Sequence, residues 1–303
     1  MEPIAPISRS ILKKELNENH FIRKTRKGEN EIYSLNLQSA PNALKEIGRL
    51  REITFRASGG GTGKDLDLDH FDTDENAYQQ LIVWSPEDEE IIGGYRYIKC
   101  KNALKNPPLI ALSTTHYFSF TDLFISDYLP YTIELGRSWV QPNYQPSVNP
   151  RKGLYALDNI WDGLGALIKM NPDISYFFGK VTMYPNYNTD ARNFLLTFMN
   201  RFFPDQEGLL SAHTPLDYSS DQELYLSKIE TLTFSEAYKV LNSFVREKKE
   251  FIPPLINIYM NLSPTMKTFG TAVNSDFGNV EETAILVRIN DIYEDKKQRH
   301  LIF

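Results

Sequence analysis

Two opposite charges, Glu134 and Arg137, stand three residues apart in the segment Tyr-Thr-Ile-Glu-Leu-Gly-Arg-Ser-Trp-Val, residues 131–140. The segment has the length and composition of a strand. In a regular strand the side-chain period of two sends these charges to opposite faces. Gly136 lies between them, and a glycine inside a strand often marks a bulge, which shifts the parity by one residue. The spacing therefore predicts a bulge at Gly136-Arg137 that brings Glu134 and Arg137 to one face. The bulge would also free a backbone N–H from the ladder, to polarise a carbonyl. The same two residues equally suit a buried ion pair that only fixes the sheet. From this stretch alone both readings stay open.

Most other chemistry is excluded. Residues 58–64 read Ser-Gly-Gly-Gly-Thr-Gly-Lys, but a phosphate loop needs Gly where Ser58 stands and Ser or Thr where Asp65 stands. The loop also follows a helix-like stretch rather than a strand. Asp65, Asp67, Asp69 and Asp72 form an acidic run without EF-hand spacing. The five histidines are scattered in no metal-ligand pattern, so no metal site is expected. No nucleophile elbow and no dinucleotide fingerprint occur. A lone Cys100 excludes an internal disulfide and reads as a small core residue. What remains is direct attack by a substrate nucleophile, helped by a carboxylate base and oriented dipoles. One further feature is the loop ending Asn149-Pro150-Arg151-Lys152-Gly153 between a strand and a helix. Such an arrangement receives phosphates through free N–H groups and the helix dipole.

The elements that must position these residues follow from periodicity. A strand over 31–37 precedes a helix from Pro41 to about Phe55, in which Arg51 and Phe55, four apart, share a face. Strands over 81–84 and 91–98 form a hairpin. A helix begins at Leu154 and stops at Asn171-Pro172, a strand runs over 176–183 and a helix over 189–203. Thr233 and Glu236 make a capping box for another helix. Strands over 268–273 and 283–289 close the chain as a pair. Residues 1–30 form a basic extension, and residues 233–264 a helical insertion before that last pair. No linker is evident, so one domain spans 1–303. The 13% aromatic content favours a large core or an apolar pocket. A net charge of −6 argues against nucleic-acid binding. No membrane-span run and no signal peptide are present, which predicts a cytoplasmic protein.

Four ordered motifs carry a resemblance. They are Leu50-Arg51-Glu52-Ile53-Thr54-Phe55, Asp69-His70-Phe71-Asp72, Gly94-Tyr95-Arg96 and Glu134-Leu135-Gly136-Arg137-Ser138-Trp139-Val140. Together they resemble the acyl-homoserine-lactone synthase branch of the GNAT superfamily. The wording Gly48-Arg49-Leu50-Arg51-Glu52 and Ile133-Glu134-Leu135-Gly136-Arg137-Ser138 is closer still to the hemolysin-like N-acyltransferases that make ornithine lipids and glycine lipids.

The resemblance implies an α/β fold of GNAT type, a mixed, mostly antiparallel, splayed sheet with helices on both faces. Arg51, Phe55, Asp69, Asp72, Arg96, Glu134 and Arg137 match the family's charged cluster, with Glu134 as general base on the amine. Arg151, Lys152 and Gly153 would receive the donor's phosphopantetheine, although their spacing departs from the wider superfamily's loop. That departure suits a carrier-protein donor, which has no adenosine to bind. The implied reaction moves a long, 3-hydroxylated acyl chain from acyl carrier protein, with acyl-coenzyme A as the alternative donor, to the α-amine of glycine or ornithine. No bound cofactor is implied. Acyl carrier proteins are acidic, which suits Arg151 and Lys152, with Lys13, Lys14, Arg23 and Lys24 as a second patch. A lipid product adds an expectation of peripheral membrane contact. The rival readings are a signal synthase using S-adenosylmethionine and an inactive module that senses acyl carrier protein.

Overall fold

The structure, a computed structural model, describes residues 1–104 and 110–301. In chain order the elements are α1 (Arg9–Glu15), β1 (Phe21–Lys24), β2 (Glu31–Leu35), α2 (Pro41–Ala57), α3 (His70–Thr73), β3 (Gln79–Ser85), β4 (Glu90–Lys99), β5 (Phe118–Phe120), β6 (Thr132–Val140), α4 (Pro150–Gly153), α5 (Ala156–Met170), β7 (Tyr176–Met183), α6 (Thr189–Phe202), β8 (Leu210–Ala212), α7 (Ser219–Leu226), α8 (Phe234–Glu247), α9 (Pro254–Met260), β9 (Lys267–Asn274), β10 (Val280–Arg288) and α10 (Glu294–His300). Two compact units share them. The first is Met1–Ser113, Tyr131–Ile174 and Glu294–Phe303; the second is Thr114–Pro130 and Ser175–Tyr293.

In the first unit, β1, β2, β3, β4 and β6 pair in that order, every pair antiparallel. All but the first residue of β3, and all but the end residues of β4, are buried, so helices must cover both faces of the sheet. On one face α5 packs close. A Cβ on Gly93 would stand 3.0 Å from Ile160 of that helix. On the other face lies Arg96, one strand period away from Gly94, and α2 supplies its cover.

The basic N-terminal segment is built into this unit. Leu12 and Leu16 are buried, β1 pairs with β2, and Glu15 reaches the start of α2. That helix has Ala40 at its N-cap, a residue with no side chain to accept a hydrogen bond. The Glu15 carboxylate accepts instead from the backbone N–H groups of Asn42 (3.2 Å) and Ala43 (2.7 Å) and from the Asn42 amide (2.6 Å).

In the second unit β7, β10 and β9 pair antiparallel in that order, and β5 pairs with β8. Much of the aromatic content lies here. Phe124 and Phe178 meet at 5.3 Å, and Phe194 stacks on Tyr225 at 5.1 Å. The Thr233–Glu236 capping box opens α8 as its sequence requires. Both units are mixed α/β, with antiparallel pairing, in keeping with the expected fold class.

One element differs from its sequence reading. The helix expected from Leu154 is two pieces. Asn149 caps a short turn, α4, and Tyr155 then precedes α5. Gly153 closes that turn against the chain before it, where a Cβ would stand 2.5 Å from the Pro146 nitrogen.

Because Glu15 does the work of the missing N-cap, Glu15→Ala should cost about 1 kcal/mol of stability. Denaturant unfolding at constant m-value would measure it. An unchanged midpoint would show that water caps α2 equally well.

Candidate active site

A bulge lies in β6, one residue later than the expected Gly136-Arg137. Gly94 faces Trp139 and Arg96 faces Gly136, so Tyr95 alone opposes both Arg137 and Ser138. Ile98 faces Glu134, which puts Glu134, Gly136 and Arg96 on one face. The left-handed backbone falls on Arg137, at φ +48°, and not on the glycine. Gly136 is needed for a different reason. A Cβ there would stand 3.4 Å from Arg96 Nε and 3.5 Å from Arg96 Cγ. The glycine leaves room for the arginine across from it.

Around Arg96 three guanidinium groups meet three carboxylates. Arg51, fully buried on α2, donates from Nε to Asp67 (2.9 Å) and from its two terminal nitrogens to Asp72 (3.1 and 3.2 Å). Arg96 donates to both oxygens of Asp69 (2.7 and 2.9 Å) and to Asp72 (3.2 Å). Arg137 Nε lies 3.0 Å from Asp67 and its terminal nitrogen 3.7 Å from Asp69. Gln80 on β3 donates a further bond to Asp72 (2.9 Å). The chain makes this geometry locally. Asp69 and Asp72 form the capping box of α3, so a single helical turn sets both carboxylates.

Burial pushes the Asp67 carboxyl up, but the Arg137 and Arg51 guanidinium groups outweigh it and hold it below the carboxylate range. Asp72 follows the same pattern, with Arg51 and Arg96 overcoming its burial. Burial would lower Arg96, yet Asp72 and Asp69 raise it further above its ordinary value. Asp67, Asp72 and Arg96 are therefore held in their charged forms. Arg96 Nε has no hydrogen-bond partner among the described residues. Its guanidinium carbon lies 5.2 Å from the centre of the Tyr78 ring.

Tyr78 leads to Glu134, which is 1% exposed. The phenol donates to one carboxylate oxygen (2.8 Å) and the Ser113 hydroxyl to the other (2.7 Å). Of the sequence-derived residues, Arg51, Asp69, Asp72, Arg96 and Arg137 come together, and Glu134 joins them through Tyr78. Phe55 is buried one turn beyond Arg51 on α2. Asp67, Tyr78, Gln80 and Ser113 escaped the sequence reading. Gln80, polar inside an apolar strand, carried a signal; Ser113 carried none.

The glycine-rich loop is filled from within. The buried Glu52 carboxylate accepts from the N–H groups of Thr62 (3.0 Å) and Gly63 (2.8 Å), the Thr62 hydroxyl (2.7 Å) and Arg56 (2.7 Å). The donors that a phosphate would use are engaged by a side chain of the same chain.

The donor-loop residues, on one short turn, have different surroundings. Lys152 pairs with Asp88 (2.6 Å) and lies over the Tyr144 ring, whereas Arg151 is exposed. Gly153 serves the close packing against Pro146. In the N-terminal patch, Lys13 pairs with Glu89 (2.7 Å) and Lys24 with Glu29 (3.5 Å), which neutralises part of its charge.

Two outcomes follow from this geometry. Gly136→Val should press on Arg96 and lower kcat/KM by about 10²-fold, as a displacement of roughly 1 Å can; Gly136→Ala should lose far less. Equal activity of both variants would show that the Arg96 position is immaterial. The depressed acids make a pH statement. Their folded values lie below the unfolded value near ~4, so the stability they contribute is complete above about pH 4 and is lost as pH falls through the folded values. Asp67→Asn, which removes the buried negative charge shared by two guanidinium groups, should cost about 3–5 kcal/mol at pH 7 and shrink the acid-induced loss. Unfolding followed from pH 7 to pH 3 would check both.

The family described as "Acetyltransferase (GNAT) domain" matches residues 50–151, the stretch that holds the whole cluster. A protein of Phocaeicola vulgatus named glycine N(alpha)-acyltransferase is 51% identical over 99% of this chain and 92% of its own length. One of Bacteroides thetaiotaomicron with the same name is 50% identical over 99% of this chain and 89% of its own length. No solved structure matches the chain. With half of its residues shared over nearly the full length of such relatives, the chain belongs to the GNAT-type N-acyltransferases.

Proposed function

We propose that the protein transfers a long acyl chain from acyl carrier protein to the α-amine of glycine, forming an N-acylglycine for aminolipid synthesis. The observation that carries this reading is a buried carboxylate, Glu134, on a bulged strand beside an ionised arginine cluster, in a chain half identical to relatives named for glycine acylation. The names favour glycine over ornithine.

Glu134 takes a proton from the glycine ammonium. The freed amine adds to the thioester carbonyl, and the C–S bond breaks to release the thiol. Arg137 and Ser138, two residues facing one across the ladder, offer the irregular N–H groups that would polarise the carbonyl. Arg96 Nε, unpaired above Gly136, is the donor proposed for the glycine carboxylate. The donor's phosphate is assigned to Arg151 and the start of α5, because Lys152 is already engaged by Asp88. Among the described residues no helix is long and apolar enough to cross a membrane.

Glu134→Gln keeps size and shape, so it should fold and lose roughly 10²–10⁴-fold in rate. Full activity of the Gln variant would remove Glu134 as base. Offered a panel of amino acids with an acyl-loaded carrier protein, the enzyme should acylate glycine best, as mass spectrometry of the products would show. Arg151→Glu should raise KM for the carrier-bound donor, and added salt should reproduce the effect on the unaltered enzyme. Salt-independent kinetics with the carrier-bound donor would remove this docking role of Arg151.

A further inference from the structure

Glu134 is held by a closed ring of hydrogen bonds. The Ser113 backbone N–H donates to the Tyr78 phenol oxygen (2.9 Å), the phenol donates to one oxygen of Glu134 (2.8 Å), and the Ser113 hydroxyl donates to the other (2.7 Å). The ring settles the direction of each bond. A backbone N–H can only donate, so the Tyr78 oxygen receives it and turns its own proton to the carboxylate. Glu134 thereby accepts a hydroxyl on each oxygen, which fixes the plane and direction of its carboxylate.

The three residues come from distant parts of the first unit. Tyr78 precedes β3, and its own N–H bonds to the Phe71 carbonyl (2.7 Å) behind the acidic turn. Ser113 opens a short 3-10 turn over residues 113–116. Tyr78 also faces the Arg96 guanidinium with its ring. A displacement of the arginine cluster would thus reach Glu134 through a single side chain.

We infer that Tyr78 and Ser113 are the positioning residues of the general base: their two hydroxyl groups hold the Glu134 carboxylate aimed at the amine. The inference rests on the proposed role of Glu134. Neither residue needs to touch the substrate for this.

Burial and pairing hold several neighbouring groups each in one charge state. Burial pushes the Tyr78 phenol well above its ordinary value, and Glu134 adds to that. The Cys100 thiol, just after β4, is raised by burial and by the same carboxylate, so it stays neutral. Arg96, Arg51, Asp67 and Asp72 are held ionised by one another.

The test is the pH profile of kcat at saturating glycine for Tyr78→Phe, Ser113→Ala and Ser113→Thr, with Glu134→Gln alongside. A hydrogen bond to a charged group is strong enough that losing one should move the acid limb up by about 1–2 pH units in the Phe and Ala variants. Ser113→Thr keeps a hydroxyl and should return the limb towards its original position. A merely structural role would lower the rate equally at every pH. An unmoved limb in folded Phe and Ala variants, with Glu134→Gln inactive, overturns the inference and leaves the base intact. An active Glu134→Gln would overturn the base itself. Should Tyr78→Phe fail to fold, the Ser113 pair alone decides.

Discussion

A carboxylate without access to water, Asp67, joins Arg51 on a helix to Arg137 on a bulged strand. Most of the first unit's geometry depends on that junction. Charges buried this deeply are tolerated only when every one is paired. Four pieces of chain, α2, the acidic segment running into α3, β4 and β6, each contribute at least one member. None can shift without stranding a charge in a medium that cannot solvate it. Such networks rarely add net stability over a well-packed apolar core. Here the network supplies position, because the strand bearing Glu134 is tied to the helix and the acidic turn by groups with fixed forks and short contacts.

The same junction explains the backbone of Arg137. A side chain at φ +48° costs about 1 kcal/mol or more against the ordinary strand conformation. A glycine next door could have taken that conformation freely. The guanidinium instead needs it, since the left-handed turn is what swings the side chain onto the face of Arg96 and within reach of Asp67. Charge-assisted hydrogen bonds to a buried carboxylate are strong enough to offset such strain. Gly136 keeps ordinary dihedrals and contributes an empty volume over which Arg96 lies.

How much of this was legible depends on how far the cause lies along the chain. The helix α2, the β3–β4 hairpin and the α8 capping box are local, and their residues announced them. The bulge was legible because Gly136 separates two charges whose parity only a bulge can reconcile. Its conformation was not, since φ at Arg137 is set by Asp67, seventy positions away. Asp67 sat in plain view within an acidic run, but nothing local distinguished it from Asp65. Lys152 reads as a free cation until the fold brings Asp88 to it, and Ser113 reads as a loop residue until Glu134 arrives from β6. The split between α4 and α5 was hidden for the same reason, because it depends on how Gly153 meets the turn at Pro146.

The glycine-rich loop shows what the fold did with a motif that looked like chemistry. Its left-handed glycines, Gly59, Gly61 and Gly63, turn backbone donors inward as a phosphate loop would. The anion they meet is Glu52, one position after Arg51 on α2. A carboxylate fixed to a helix is always present, so the loop closes on it permanently and the chain leaves it in one direction only. That direction carries residues 65–72 back to Gly48, where the Asp67 N–H bonds to the carbonyl (3.0 Å). Glu52 thus anchors one end of the acidic segment and Arg51 receives its middle. Two adjacent residues of a single helix turn, facing different ways, place the carboxylates on which the arginine cluster rests.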